Sequence, residues 1–171
     1  MAFLKRIKRE YDTIQKDDNT CRVELIDQNM QKWYAFIDGP SETPFEKGEF
    51  KLELTFTNSY PFKPPEVKFI TRIFHPNISE QGSICLDILK SQWTPSLTIS
   101  KLLLSISSLL AEPNAKDPLN PQAGNLYLNN LEDYNKKVKT YTNTYCLNLN
   151  KNKYVEEINK DEDYDSEKSD Y

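Results

Sequence analysis

Between Glu49 and Thr57 every second residue is apolar, with Phe50, Leu52, Leu54 and Phe56 set against Glu49, Lys51, Glu53 and Thr55. Successive side chains of a strand point to opposite faces, so a period of two over this length dictates a strand with one buried and one wet face. Three further β-rich runs, Arg22 to Ile26, Trp33 to Ile37 and Val67 to Ile70, are predicted strands. Asp38-Gly39-Pro40 and Lys47-Gly48 supply turn chemistry between them, and connections this short favour antiparallel neighbours. The expectation is a four-stranded antiparallel meander.

Helical periods flank it. Leu4, Ile7, Tyr11 and Ile14 recur at spacings of three and four, predicting a first helix whose intervening basic residues face largely to solvent. Ile99, Leu102, Leu103, Ile106, Leu109 and Leu110 predict a long central helix, with Thr98 as N-cap and Pro113 beyond its end. Asn120-Pro121 reads as a cap followed by proline at the first helical position. Leu131, Tyr134, Val138, Tyr141 and Tyr145 predict a last amphipathic helix. The expected class is α/β (α+β): an N-terminal helix, the meander, a long central helix and two C-terminal helices.

A chain of 171 residues suits one domain with a real core. The net charge of −4 is unevenly spread. Tyr154 to Tyr171 holds eight acids against Lys160 and Lys168, a net of −6, which leaves +2 for Met1 to Lys153. The domain is therefore set at 1–150, with 151–171 an acidic tail whose composition favours flexibility. The basic footprint is too small for a nucleic-acid binder, and no run is apolar enough for a membrane span or signal peptide. Cys21, Cys85 and Cys146 are odd in number and far apart. They lack zinc-ligand spacing, so no metal and no disulfide framework is expected, and a reducing compartment fits. No glycine-rich phosphate loop is present.

From Thr71 to Leu97 neither period persists, although Phe74, Ile78, Ile84, Leu86, Ile88 and Trp93 forbid a merely solvated loop. A long irregular segment inside a compact domain is usually functional. Cys85 lies in it, ten residues after His75-Pro76-Asn77. Taken alone, a cysteine is as readily a small buried apolar residue as a nucleophile. A cysteine hydrolase would need His75, the chain's single histidine, as its base. The proline directly after His75 restricts its backbone, which suits a structural histidine that fixes a turn better than one that moves protons. Asp87, two residues past the cysteine, would if close disfavour a thiolate. The pattern suits an acyl carrier, which receives a group already activated, better than a hydrolytic nucleophile. Delivery to a lysine is the harder step, because a free ammonium of reference pKa near 10.4 must be deprotonated and oriented. Asp87 and Asp117 are the candidate acids. Asn77 has the chemistry of an oxyanion donor, a role worth roughly 10²–10³-fold in rate.

These residues carry a resemblance. His75-Pro76-Asn77-Ile78, Gly82-Ser83-Ile84-Cys85-Leu86-Asp87-Ile88-Leu89, Ser91-Gln92-Trp93-Thr94-Pro95, Tyr60-Pro61-Phe62-Lys63-Pro64-Pro65 and Asp117-Pro118-Leu119 follow in the order found in ubiquitin-conjugating enzymes. The chain resembles that family from about Leu4 to Tyr145, and is most similar to its broadly acting subfamily that works with RING and HECT ligases. The resemblance implies the ubiquitin-conjugating fold, with the sheet packed on the central helix. It implies that Cys85 carries ubiquitin as a thioester, received from a ubiquitin-activating enzyme, and passes it to protein substrates with or via a ligase. It makes Asn77 either the oxyanion donor or the holder of the active-site loop, places His75, Pro76 and Leu119 as structural neighbours, and assigns Asp87 and Asp117 to the incoming lysine. Lys101, Leu104 and Ser108 become the donor-ubiquitin contact. Lys5, Arg6, Arg9, Phe62, Pro95 and Ser96 become the surface shared by ligase and activating enzyme, so those partners would exclude one another. No cofactor is implied, since ATP is used by the activating enzyme, and the expected location is cytoplasmic with a nuclear pool as a second expectation. The open alternatives are a carrier of a ubiquitin-like modifier, a non-catalytic ubiquitin-binding scaffold, and the hydrolase.

Two positions depart from the pattern. Phe74 stands where relatives often carry tyrosine. Arg22 stands where relatives that bind a second ubiquitin non-covalently tend to have a small residue, so binding on that face is expected to be weak.

Overall fold

The computed structural model describes residues 2–17 and 21–146. The acidic tail at 151–171 and its boundary with the domain lie outside these residues. The order is α1 (Ala2–Lys16), β1 (Arg22–Ile26), β2 (Asn29–Asp38), β3 (Glu49–Thr55), β4 (Glu66–Phe69), a single 3₁₀ turn (Asp87–Leu89), α2 (Ile99–Ala111), α3 (Pro121–Asn129) and α4 (Leu131–Tyr145). The four strands form one antiparallel sheet in sequence order, so the expected meander is the one observed.

Register follows from the apolar alternation. Trp33 pairs with Leu54, Ala35 with Leu52 and Ile37 with Phe50, which puts the apolar residues of β2 and β3 on the same face, where all six are buried. β2 starts four residues earlier than Trp33 because a two-residue turn at Asp27 and Gln28, both at positive φ, feeds β1 into Asn29. Neither residue is glycine, so the sequence does not mark this turn. β3 stops at Thr55 rather than Thr57, and β4 runs one residue ahead of its expected span. Ile70, past the end of β4, is half exposed.

α2 begins where expected: Thr98 is extended and its side chain accepts from the Lys101 amide. Ile99, Leu102, Leu103, Ile106, Leu109 and Leu110 are all buried, each stabilising the packed state by about 1.5–3 kcal/mol of gross apolar transfer. Asn120 caps α3 by accepting from the Ala123 amide, with Pro121 at the first helical position.

The last helix corrects the expected stripe. Tyr134, Val138 and Thr142 are its buried residues, whereas Leu131 and Tyr145 are exposed. Thr142 replaces a larger apolar residue because the main chain at Gly48 comes close. A Cβ at Gly48 would lie 2.6 Å from Thr142 Cγ2 and 2.8 Å from Cys146 Sγ, so any larger residue would have to displace both side chains.

α1 also differs from a simple amphipathic helix. Lys5, Lys8 and Arg9 are exposed as expected, but Glu10 is buried beside Ile7 and Ile14. Its carboxylate is the junction of three elements described below.

Candidate active site

The segment after β4 is irregular in dihedral period yet fully tied down. Ile78 forms isolated bridges with His75 and with Ile84, and both isoleucines are buried. Gly82 turns the chain at φ +88° and its carbonyl accepts from the Phe69 amide of β4. A Cβ there would fall 2.1 Å from the Phe69 carbonyl oxygen, so the turn against the sheet edge needs glycine. These anchors deliver Cys85, whose amide donates to the Asn77 carbonyl at 2.9 Å and whose side chain is partly exposed.

Just beyond it the 3₁₀ turn folds the chain back. The Leu89 amide donates to Leu86 O, and the amides of Lys90 and Gln92 both donate to Asp87 O. The Lys90 ammonium is thereby carried to 3.5 Å from Cys85 Sγ, while Asp87 at the head of the turn is exposed. A groove of about 450 Å³ is lined in part by Pro64, Pro65, Val67, Ile84, Leu89 and Lys90, while Cys85 itself is not among its walls.

His75 is not a base for this thiol. It is fully buried, its Nδ1 accepts from the Asn77 amide at 2.9 Å, and its Nε2 lies 2.8 Å from the Leu109 carbonyl in α2. With one nitrogen accepting and the other donating, the ring is the neutral Nε2–H tautomer. Burial pushes its pKa down to about 4. The histidine joins the active segment to the central helix, which disposes of a Cys85–His75 dyad.

Asn77 is buried with both ends of its amide engaged. Nδ2 donates to Asn114 O and Oδ1 accepts from Asn114 N, each at 2.8 Å. The loop after α2 is held again six residues on, where the Asn120 amide donates to the Pro76 carbonyl at 3.0 Å. Asp117 and Leu119, both exposed, lie between these anchors. The His-Pro-Asn segment thus holds Cys85 through one carbonyl and the Asp117 loop through an amide and another carbonyl.

Lys101, Leu104 and Ser108 form an exposed stripe on α2, with Leu104 59 % exposed, opposite the buried face. At the far edge, Phe62 is 80 % exposed, and Lys5, Arg9, Pro95 and Ser96 are exposed as well. The two loops are cross-tied by Trp93 Nε1 donating to Pro61 O at 2.8 Å. Arg6 differs from its neighbours in being half-buried. Its Nε pairs with Glu10 at 2.5 Å and its Nη2 donates to Leu97 O at 3.1 Å. Tyr60 also donates to Glu10, and burial with that bond pushes its hydroxyl pKa up. Phe74 is buried against Tyr134 and Tyr141, with the Lys137 ammonium 4.5 Å from its ring centre.

Sequence reasoning missed Lys90, Asn114 and Glu10. Asn114 acts through its main chain and leaves no sequence mark. Lys90 is distant by helical or strand spacing and meets the sulfur only through the 3₁₀ turn. Glu10 did carry a signal, an acid three residues from Ile7 and four from Ile14 on the apolar stripe.

Comparison with known proteins gives a consistent result. A family model for ubiquitin-conjugating enzymes matches residues 6–142. The E2 domain of a Toxoplasma gondii ubiquitin conjugating enzyme is 38 % identical, with a TM-score of 0.79 over 84 % of this chain and 99 % of that one. A putative ubiquitin conjugating enzyme from Plasmodium yoelii is 40 % identical, with a TM-score of 0.81 over 85 % of this chain and 96 % of that one.

Proposed function

The chain belongs to the ubiquitin-conjugating enzyme family, a family of transferases, and on that premise we propose that it carries ubiquitin as a thioester on Cys85 and delivers it to lysine with, or by way of, a RING or HECT ligase. The observation that carries this reading is a partly exposed thiol on a rigid segment whose only histidine is locked elsewhere. Such a site can exchange acyl groups but lacks the base a hydrolase needs.

In loading, Cys85 Sγ attacks the thioester carbonyl offered by the activating enzyme. A new C–S bond forms, the activating enzyme's thiolate leaves, and the Cys85 proton passes to solvent. No cofactor takes part, because ATP has been spent upstream. In delivery, an uncharged lysine amine attacks that carbonyl, a C–N bond forms, the C–S bond breaks with departure of the Cys85 thiolate, and the proton shed by the nitrogen passes to Asp117 or to solvent. The Lys90 ammonium stands beside the sulfur that bears negative charge in both steps, which favours both transition states electrostatically. Asp117, on its doubly anchored loop, and Asp87 receive and orient the amine. Leu119 borders the same rim. The engaged amide of Asn77 supports loop holding as its first role, leaving one Nδ2–H for an oxyanion. Transfer to a HECT ligase repeats the first step with the ligase's thiol as acceptor.

Ubiquitin would lie along Lys101, Leu104 and Ser108 of α2. Activating enzyme and ligase would use the edge of Lys5, Arg6, Arg9, Phe62, Pro95 and Ser96 in turn. The location proposed for this activity is the cytoplasm, with the nucleus as a second expectation.

A pulse-chase tests delivery. Charged protein is freed of ATP and offered free lysine, and the expected product is a ubiquitin–lysine amide. Asp117→Ala should charge at the wild-type rate and discharge at least about tenfold more slowly, a loss within the range of acid–base assistance. Equal loss of both steps would remove Asp117 from this role. Release of free ubiquitin alone would contradict a transferase.

A further inference from the structure

Three elements that meet at the ligase-facing edge are joined by one buried carboxylate. Glu10 is only 7 % exposed. Its Oε1 accepts from Arg6 Nε at 2.5 Å and from the Tyr60 hydroxyl at 2.6 Å, and its Oε2 accepts from the Ile99 amide at 2.6 Å. Arg6 belongs to α1, Tyr60 precedes Pro61 and Phe62 in the exposed loop, and Ile99 is the first residue of α2. Arg6 also donates to Leu97 O, at the end of the loop that bears Pro95 and Ser96. The first helix and the Phe62 loop therefore reach the start of α2 through the Glu10 carboxylate, and Arg6 ties the end of the Pro95 loop to the same group.

The chemistry of the contact is asymmetric. The Ile99 amide is one of the donors that an α-helix leaves without an intrahelical partner, and the helix end carries partial positive charge. A carboxylate there both satisfies the donor and holds the axis of α2, the helix that presents Lys101, Leu104 and Ser108. The other carboxylate oxygen is shared with Arg6, whose side chain is 27 % exposed and so open to a docking protein. Anything that draws on the guanidinium redistributes charge on a group that is almost wholly buried, where low dielectric magnifies the effect.

We propose that Glu10 is a positioning residue that couples a ligase seated on the α1, Phe62 and Pro95 edge to the donor face of α2, so that ligase binding accelerates discharge. The inference rests on the ligase-dependent transfer proposed above. Arg6 is the point of contact, Glu10 is the relay, and the first turn of α2 is the element moved or held. A glutamine cannot replace it: the amide oxygen serves one side of the junction, and the amide nitrogen then opposes an N–H or guanidinium donor on the other.

The test compares wild type, Glu10→Gln, Tyr60→Phe and Lys8→Ala, each charged with ubiquitin and discharged to free lysine with and without an isolated RING domain. The quantity read is the stimulation factor, stimulated over basal rate for the same variant, together with the dissociation constant for the RING domain by calorimetry. A change in folding alone lowers both rates alike and leaves the factor unmoved. Glu10→Gln should lower the factor at least about fivefold while the dissociation constant changes by less than about twofold. Tyr60→Phe, which leaves the Arg6 and Ile99 contacts, should give a smaller loss, and Lys8→Ala, on the exposed side of α1, none. An unchanged factor in Glu10→Gln overturns the coupling alone. Loss of RING affinity matching the loss of rate overturns it too, by reducing Glu10 to a support for binding. Absence of stimulation in wild type by any RING domain that binds, together with no transfer of ubiquitin to the catalytic cysteine of a HECT domain that binds, would overturn the ligase reading itself, and the coupling with it.

Discussion

Asn77 and Asn114 hold each other by a reciprocal pair of hydrogen bonds, side-chain amide to main chain, each 2.8 Å long. The Asn77 main chain meanwhile holds Cys85 through its carbonyl. One residue therefore fixes the distance between the thiol and the loop that bears Asp117.

Asn77→Asp keeps the acceptor for Asn114 N–H but turns a donor towards Asn114 O into an acceptor, which replaces a bond by a repulsion. Discharge to lysine should fall about 10²-fold or more, an oxyanion-donor-sized loss. Amide exchange at Asn114 and Asn120 should quicken in the same variant. Slow discharge with unaltered exchange would assign Asn77 to the oxyanion instead of the loop.

His75 makes the fold less stable in acid. The unfolded ring takes a proton near pH 6.5, whereas burial lowers the folded value to about 4. Between those values the unfolded chain binds more protons, so the contribution is complete above pH 6.5 and is lost as pH falls towards 4. The loss amounts to roughly 3 kcal/mol. Glu49 opposes it at the acid end, since burial raises its pKa and the folded state then binds the proton more tightly. Urea unfolding at pH 7 and pH 4.5 should show a steep loss in wild type and a flatter one in His75→Gln. Parallel slopes would contradict the assignment, because the chain has no other histidine.

The outer face of the sheet is covered by its own side chains. Arg22 Cζ lies 3.7 Å from the Phe36 ring centre, and the guanidinium pairs with Glu24 and Glu49. Lys51 Nζ lies 3.6 Å from the Tyr34 ring centre. Free ubiquitin should therefore produce negligible chemical-shift changes around Arg22, Tyr34 and Lys51. Arg22→Ser should cost less than about 1 kcal/mol of stability, the scale of an exposed ion pair or cation–π contact. Clear, saturable shifts in wild type would refute the expectation of weak binding on this face.

Much of this molecule is legible in its residues, and the failures share a cause. The strand alternation of Phe50 to Phe56 and the stripe of Ile99 to Leu110 state their burial directly, because each repeats over several turns or pleats. Thr98 and Asn120 cap the helices they were expected to cap. Leu131 and Tyr145 misled because periodicity says which face is apolar and not how far the core extends beneath it. The core lies beneath α4 from Tyr134 to Thr142 and continues at Cys146 just past it, with the main chain at Gly48, a tertiary neighbour, packed against both. Motif order pointed to Cys85 and Asn77 within the active segment and to Asp117 in the loop after α2. Lys90 and Asn114 meet their partners through a 3₁₀ turn and a main-chain clamp, neither of which has a residue signature.

The proposed transfer depends first on the Cys85 sulfur accepting an acyl group. The most direct measurement is the intact mass and non-reducing mobility of the purified chain after incubation with ubiquitin-activating enzyme, ATP and ubiquitin. A single added ubiquitin, removed by thiol reductant and never formed on Cys85→Ala, is the result expected. A wild-type chain that acquires no such adduct, while a known conjugating enzyme in the same mixture does, would contradict the account.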